Sequence, residues 1–201
     1  MYGSRKFPCP PRTSGNLIFS NWKKIEEKAG RYAPSFFYAR ILNMSDNNNL
    51  YFGLNFDPES TEPINFLETR FHDLSPFSAH EVCIDGVVYK TAEHAYQALR
   101  VIPEERQDIM NAGSPMDAWR LGQKCKEEGK LVLDFDKLAL MEKIFRAKLA
   151  QHRDIVEVLK MTGERKLHKV YDVDYYWGTG ADNTGENQMG KLWMKLRSEL
   201  T

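Results

Sequence analysis

The sequence predicts an α+β fold, predominantly helical, with a small antiparallel β-sheet built on a hairpin. Three observations predict it. Five stretches carry apolar residues at helical spacing between start and stop signals, one Asp-Gly pair separates two short apolar runs, and the composition is that of an ordinary globular domain, 42% hydrophobic and 28% charged over 201 residues.

The elements follow in order. Residues 1 to 62 read as an N-terminal extension: Pro8, Pro10 and Pro11 mark a flexible start, Ser20 caps a short helix ending at Gly30, and SFFYARILNM has the content of a strand. Residues 63 to 201 read as the main domain. Its hairpin is EVCIDGVVYK, turning at Asp85-Gly86. Thr91 starts a helix through AEHAYQALRV that Pro103 closes. Ser114-Pro115 opens the next, which Gly129 stops. A third, KLALMEKIFRAKLAQH, aligns Leu138, Met141, Phe145 and Leu149 on one face. DIVEVLKMTG ends at Gly163, and QMGKLWMKLRSEL makes a last amphipathic helix.

Charge and cysteine usage narrow the function classes. Lys+Arg and Asp+Glu both total 28, which argues against a long nucleic-acid footprint but not against one nucleotide in a pocket. The three cysteines, Cys9, Cys83 and Cys125, contain no CxxC pair, so neither a zinc site nor a disulfide framework is expected. No stretch has transmembrane length or the apolar core of a leader, and the expected address is a reducing one, the cytoplasm.

Two constellations carry candidate chemistry. Glu93, Gln97 and Arg100 lie at i, i+4 and i+7, on one helix face. In a cleft, such a carboxylate serves as a general base or stabilises a cationic sugar; on a solvated face, the same residues make an ion pair worth only ~0.3 kcal/mol. His94, beside Glu93, reads as a core or surface histidine. The second constellation runs from Asp174 through Trp177, with four glycines among the thirteen residues Gly178 to Gly190. It reads either as a surface connector or as a site in which Asn187 caps the final helix, the helix N-terminus seats a phosphate, and Trp177 or Tyr176 stacks on a base. It is neither a dinucleotide fingerprint nor a P-loop. A Ser/His/Asp triad drawn from FHDLSPFS has no nucleophile elbow to support it.

The ordered series FHDLSPFS, IDGVVYKTAEHAYQALR, AWRLGQK, MEKIFRAKLAQH, LKMTGERKL, VDYYWGTG and TGENQMGKLWMKLR resembles the NADAR family, with its YbiA-like members, over about Phe66 to Leu200. The resemblance implies a compact, largely helical enzyme that cleaves N-glycosidic bonds. Two substrate classes are implied: ADP-ribose on guanine bases of DNA or RNA, and ribosylamino-pyrimidine phosphates of riboflavin synthesis. It assigns Glu93 and Asp174 to catalysis and places Arg100 at a catalytic position. Ligand binding falls to Gln97, Lys148, Trp177, Gly178, Gly180, Asn187 and Gly190, with Phe71 and Ser75 of the first segment; Arg197 matches the arginine of the last helix. No metal and no other cofactor is expected.

Departures from the family pattern shape the expectations. Arg100 stands where many members carry a lysine, Lys169 where many carry glutamate, and Gln123 where arginine is common. An arginine cannot form a Schiff base. The chain therefore hydrolyses through Glu93 and water, recruits another lysine, or reads ADP-ribose without cutting it. An alternative of a different class is an interaction protein that docks a partner through Phe36, Phe37 and Tyr38.

Overall fold

The computed structural model describes residues 59–67 and 70–200, and from Ser60 onward these belong to one compact unit. The helix expected after Ser20, the strand SFFYARILNM and the aromatic cluster Phe36 to Tyr38 lie outside the described residues.

The order is β1 (Ile64–Asn65), β2 (Val82–Ile84), β3 (Val87–Tyr89), α1 (Ala92–Leu99), α2 (Arg106–Asn111), α3 (Pro115–Glu127), α4 (Lys137–Gln151), α5 (Arg153–Met161), β4 (Leu167–His168) and α6 (Gln188–Ser198). The fold is the helical α+β arrangement that the sequence predicts. β2 and β3 pair antiparallel, Val82 opposite Tyr89. Their turn has Asp85 at φ 52° and Gly86 at φ 87°, the left-handed pair of a type I′ hairpin. The second pairing, β1 with β4 in parallel, has no signature in the sequence, because two-residue strands are too short to show periodicity.

The helices begin where polar side chains take up free amides. Thr91 accepts from the His94 amide, Ser114 from Asp117, and Asp136 from Leu138 and Ala139. α1 stops at Leu99, before the predicted end. Val101 instead bridges Leu131, and the Ile102 amide reaches the Lys130 carbonyl, an extended conformation that suits β-branched residues ahead of Pro103. α2 was not anticipated. Among the described residues, no helix is long and apolar enough to cross a membrane.

α4 is the central element and packs against β2, α1, α5 and α6. Its predicted stripe is inward: Met141, Phe145 and Leu149 are buried, and Leu138 is half-buried. Phe145 stacks on Trp193 of α6 with centroids 4.1 Å apart, and the Trp193 indole N–H donates to the Leu74 carbonyl at 2.9 Å. Each such aromatic buried removes enough apolar surface to contribute about 1.5–3 kcal/mol. Cys125 is free and buried, whereas Cys83 is disulfide-bonded.

Candidate active site

Glu93 and Gln97 of α1, and Arg100 at its C-terminal cap, are turned inward. The three are 5%, 2% and 7% exposed, so the solvated-face reading fails. The Gln97 amide donates to Glu93 Oε1 at 2.6 Å, and the Glu93 backbone amide is held by the Pro76 carbonyl at 2.9 Å. Burial raises the Glu93 pKa above the carboxylate range; the Gln97 bond and the charges of Lys169 and Arg100 pull it back, while Asp174 pushes it further up. Glu93 thus senses three charged groups that its own helix, β4 and the following loop bring together.

Asp174 sits on the loop after β4. Its Oδ1 accepts from the Trp177 amide at 2.8 Å, and its Oδ2 pairs with Lys169 Nζ at 2.5 Å. Lys169 is the residue of this centre that sequence reasoning noted only as a departure. Its position one residue past β4 and five before Asp174 is the signal. Trp177 meets Tyr96 edge-to-face at 5.7 Å and Tyr176 at 4.9 Å. Lys137 Nζ lies 3.1 Å from the Tyr176 ring centre, so one face of Tyr176 is taken by a cation; Trp177 stays half-buried at the edge of the site. Burial moves the Tyr96 hydroxyl up to about 12, which keeps it a neutral hydrogen-bonding group.

Several predicted ligand-binding residues turn out to hold the protein itself. The amides of Gly185, Glu186, Asn187, Gln188 and Met189 donate to the carbonyls of Thr179, Tyr175, Gly178, Tyr176 and Trp177, at 2.7 to 3.2 Å. These five amides at the entry to α6 are therefore engaged inside the loop. Asn187 does not cap the helix with its side chain. It adopts a left-handed conformation (φ 51°), accepts from the Lys169 amide and donates to the Leu167 carbonyl, fixing β4 beneath the loop. Gly190 is required because a Cβ there would overlap the Leu167 carbonyl and the Asn187 amide; at Gly178 one would fall 2.7 Å from the Lys169 carbonyl. Gly180 (φ 68°) lies against the Tyr175 ring.

Lys148 is likewise engaged with the protein. It is fully buried, and its ammonium donates to the Asp73 carbonyl at 2.5 Å, the Ser75 carbonyl at 3.0 Å and Ser78 Oγ at 2.6 Å. Its three donors have three protein acceptors, leaving none for a phosphate. Burial lowers its pKa to about 7, against the pull of Asp73 and Asp154. Ser75 and Phe71 are buried too, and Ser75 Oγ accepts from the Phe77 amide, so both shape the segment under α1. His94 bonds Thr91 Oγ1 and the Ala112 carbonyl, a core histidine as read. Arg197 ties Thr162 and the Arg165 carbonyl. No group of metal-ligating side chains occurs among the described residues.

Gly122 of α3 completes the site from behind. A Cβ there would overlap the Gln97 amide oxygen and lie 2.7 Å from its Cδ. Gly122→Ala is expected to destabilise the domain by about 1–3 kcal/mol through overpacking and to lower turnover by turning Gln97 away from Glu93. Thermal melts beside steady-state rates check it; a variant with both unchanged refutes the role.

A buried carboxylate that resists ionisation, set within the field of an ion-paired one, is an arrangement that suits bond cleavage at a sugar carbon. The NADAR domain profile matches residues 58–201, and the chain belongs to the NADAR family. It is 35% identical over 140 residues to N-glycosidase YbiA of Shigella flexneri serotype 5b, covering 68% of this chain and 88% of that protein. The solution structure of Escherichia coli YbiA superposes with a TM-score of 0.62 at 33% identity, over 70% of this chain and 86% of that one. A maize chloroplastic protein named riboflavin biosynthesis protein PYRR is 31% identical over 162 residues, which span 71% of this chain and 26% of that protein.

Proposed function

We propose that this protein hydrolyses the N-glycosidic bond of a phosphorylated ribose, with ADP-ribose on a guanine base of nucleic acid as substrate. The observation that supports it most is Glu93, buried, bonded to Gln97 and within the fields of Lys169, Arg100 and Asp174. Held toward its neutral form, Glu93 donates a proton to the departing base nitrogen and then, as carboxylate, draws one from the attacking water. Asp174, fixed by Lys169 and the Trp177 amide, sets negative charge against the oxocarbenium that develops at C1. Arg100 takes no covalent part; it remains a guanidinium whose charge faces the anionic end of the substrate. Trp177 packs on the ribose or base. No cofactor enters this scheme.

Incubating the full chain with DNA carrying ADP-ribosylated guanine and following free ADP-ribose by chromatography tests this reading. Release is expected, and intact substrate under conditions where the protein is folded refutes it. The name of the maize relative favours a second reading, a ribosylamino-pyrimidine phosphate as substrate. Release of ribose 5-phosphate from that compound in place of ADP-ribose from DNA would select it. Binding of ADP-ribose without turnover of either compound would make the protein a reader.

A further inference from the structure

Arg100 is a buried guanidinium with no carboxylate in ion-pair contact among the described residues. The groups in contact with it are neutral, and the Glu93 carboxyl senses its charge only from a distance: the Gly122 carbonyl accepts from Nη2 at 2.8 Å, and the Tyr96 hydroxyl lies alongside. With its amide oxygen turned inward, Gln123 accepts from Nη2 at 3.1 Å. Nε is buried without any partner. A guanidinium cannot shed its charge, and a buried charge among neutral partners is costly unless an anion joins it.

Next to it lies a flat apolar face. Trp119 is on α3, one turn from Gln123, and donates its indole N–H to the same Gln123 oxygen at 3.3 Å. Its side chain is 42% exposed, although the helix has a buried face available at Ala118, Gly122 and Cys125. One amide therefore links a fixed cation to an open ring. An anionic group joined to a planar ring is what this pair recognises, and a nucleoside phosphate has both.

We propose that Arg100, Gln123 and Trp119 form a nucleotide subsite, with a phosphate on Arg100 and a purine ring stacked on Trp119, separate from the C1 centre at Glu93. The subsite deepens the reading of the site as one for a nucleotide-type substrate, and it rests on that reading. It assigns Trp119 as a specificity residue outside the glycine-rich loop.

Calorimetric titration of the full chain with AMP, adenosine and ribose 5-phosphate tests it. Trp119→Ala, a change at an exposed position, is expected to weaken AMP about tenfold while ribose 5-phosphate stays within about twofold. Arg100→Met is expected to weaken both phosphates and to spare adenosine. AMP binding unchanged in Trp119→Ala overturns the proposal, as does equal loss of AMP and ribose 5-phosphate, or no AMP binding by the wild type at about 10 mM. The hydrolase reading fails separately: a wild type that binds AMP through Trp119 but releases nothing keeps the subsite and loses the reaction.

Discussion

Glu93→Gln is expected to lower turnover by a factor of about 10² to 10⁴ while leaving the protein at least as stable as the wild type at neutral pH. The rate loss is that of removing a general acid–base group. The stability follows from the direction of the pKa shift. Burial raises the folded-state value above the ordinary 4.5, so between 4.5 and the raised value the folded chain holds a proton that the unfolded chain has released. Stability from this group is therefore full below about pH 4.5 and declines as pH rises through that window. Glutamine never ionises, and its amide oxygen still accepts from Gln97. Denaturation midpoints of the two proteins should converge near pH 4.5 and separate in favour of the variant toward neutrality. A variant that is less stable at pH 7 than at pH 4.5, relative to wild type, contradicts the assignment; one with full activity removes Glu93 from the chemistry.

Lys148→Met should be the most destabilising single change at the residues discussed, by about 3–5 kcal/mol, because it strands three acceptors that now share one ammonium. The apolar chain fills the volume, so the loss reports on hydrogen bonding rather than on a cavity. The segment it releases, Asp73 to Ser78, contains Pro76, whose carbonyl holds the Glu93 amide. Activity should therefore fall at temperatures where the variant is still folded. Urea denaturation with activity measured in parallel checks both. A loss under 1 kcal/mol would mean that burying the charge costs about as much as its bonds return.

Most of the helices were legible from stop signals and a repeating apolar face, and three of them also from a capping side chain; Ser114, Gly129 and the Met141–Phe145–Leu149 stripe show it. The hairpin was legible from Asp85-Gly86 alone. β1 and β4 were not, since their pairing is set by what lies around them. In the site, Glu93 and Gln97 read correctly as one helical face, and only the structure showed that this face is buried rather than solvated. The surroundings of Lys148 were not legible for a general reason: the type of a side chain shows that it can bind phosphate, but not that protein oxygens already surround it. The packing of the glycines was hidden likewise. A glycine-rich loop before a helix suggests a cradle for an anion, yet here the glycines let the chain fold back on its own carbonyls. The importance of Gly122 was invisible, because it depends on how closely α3 approaches α1.

The pairing of β1 with β4 and the bond from Trp193 to Leu74 join the two ends of the domain. The second spans 119 residues of chain. Glu93 is placed by a segment near the start of the domain, and Asp174 by a loop secured only when α6 docks near its end. Contacts of such separation bear the entropy of a long closure before they return any energy. A nascent chain still lacking its last helix holds one carboxylate without the other. The two carboxylates therefore come together only once both ends of the domain have closed on each other.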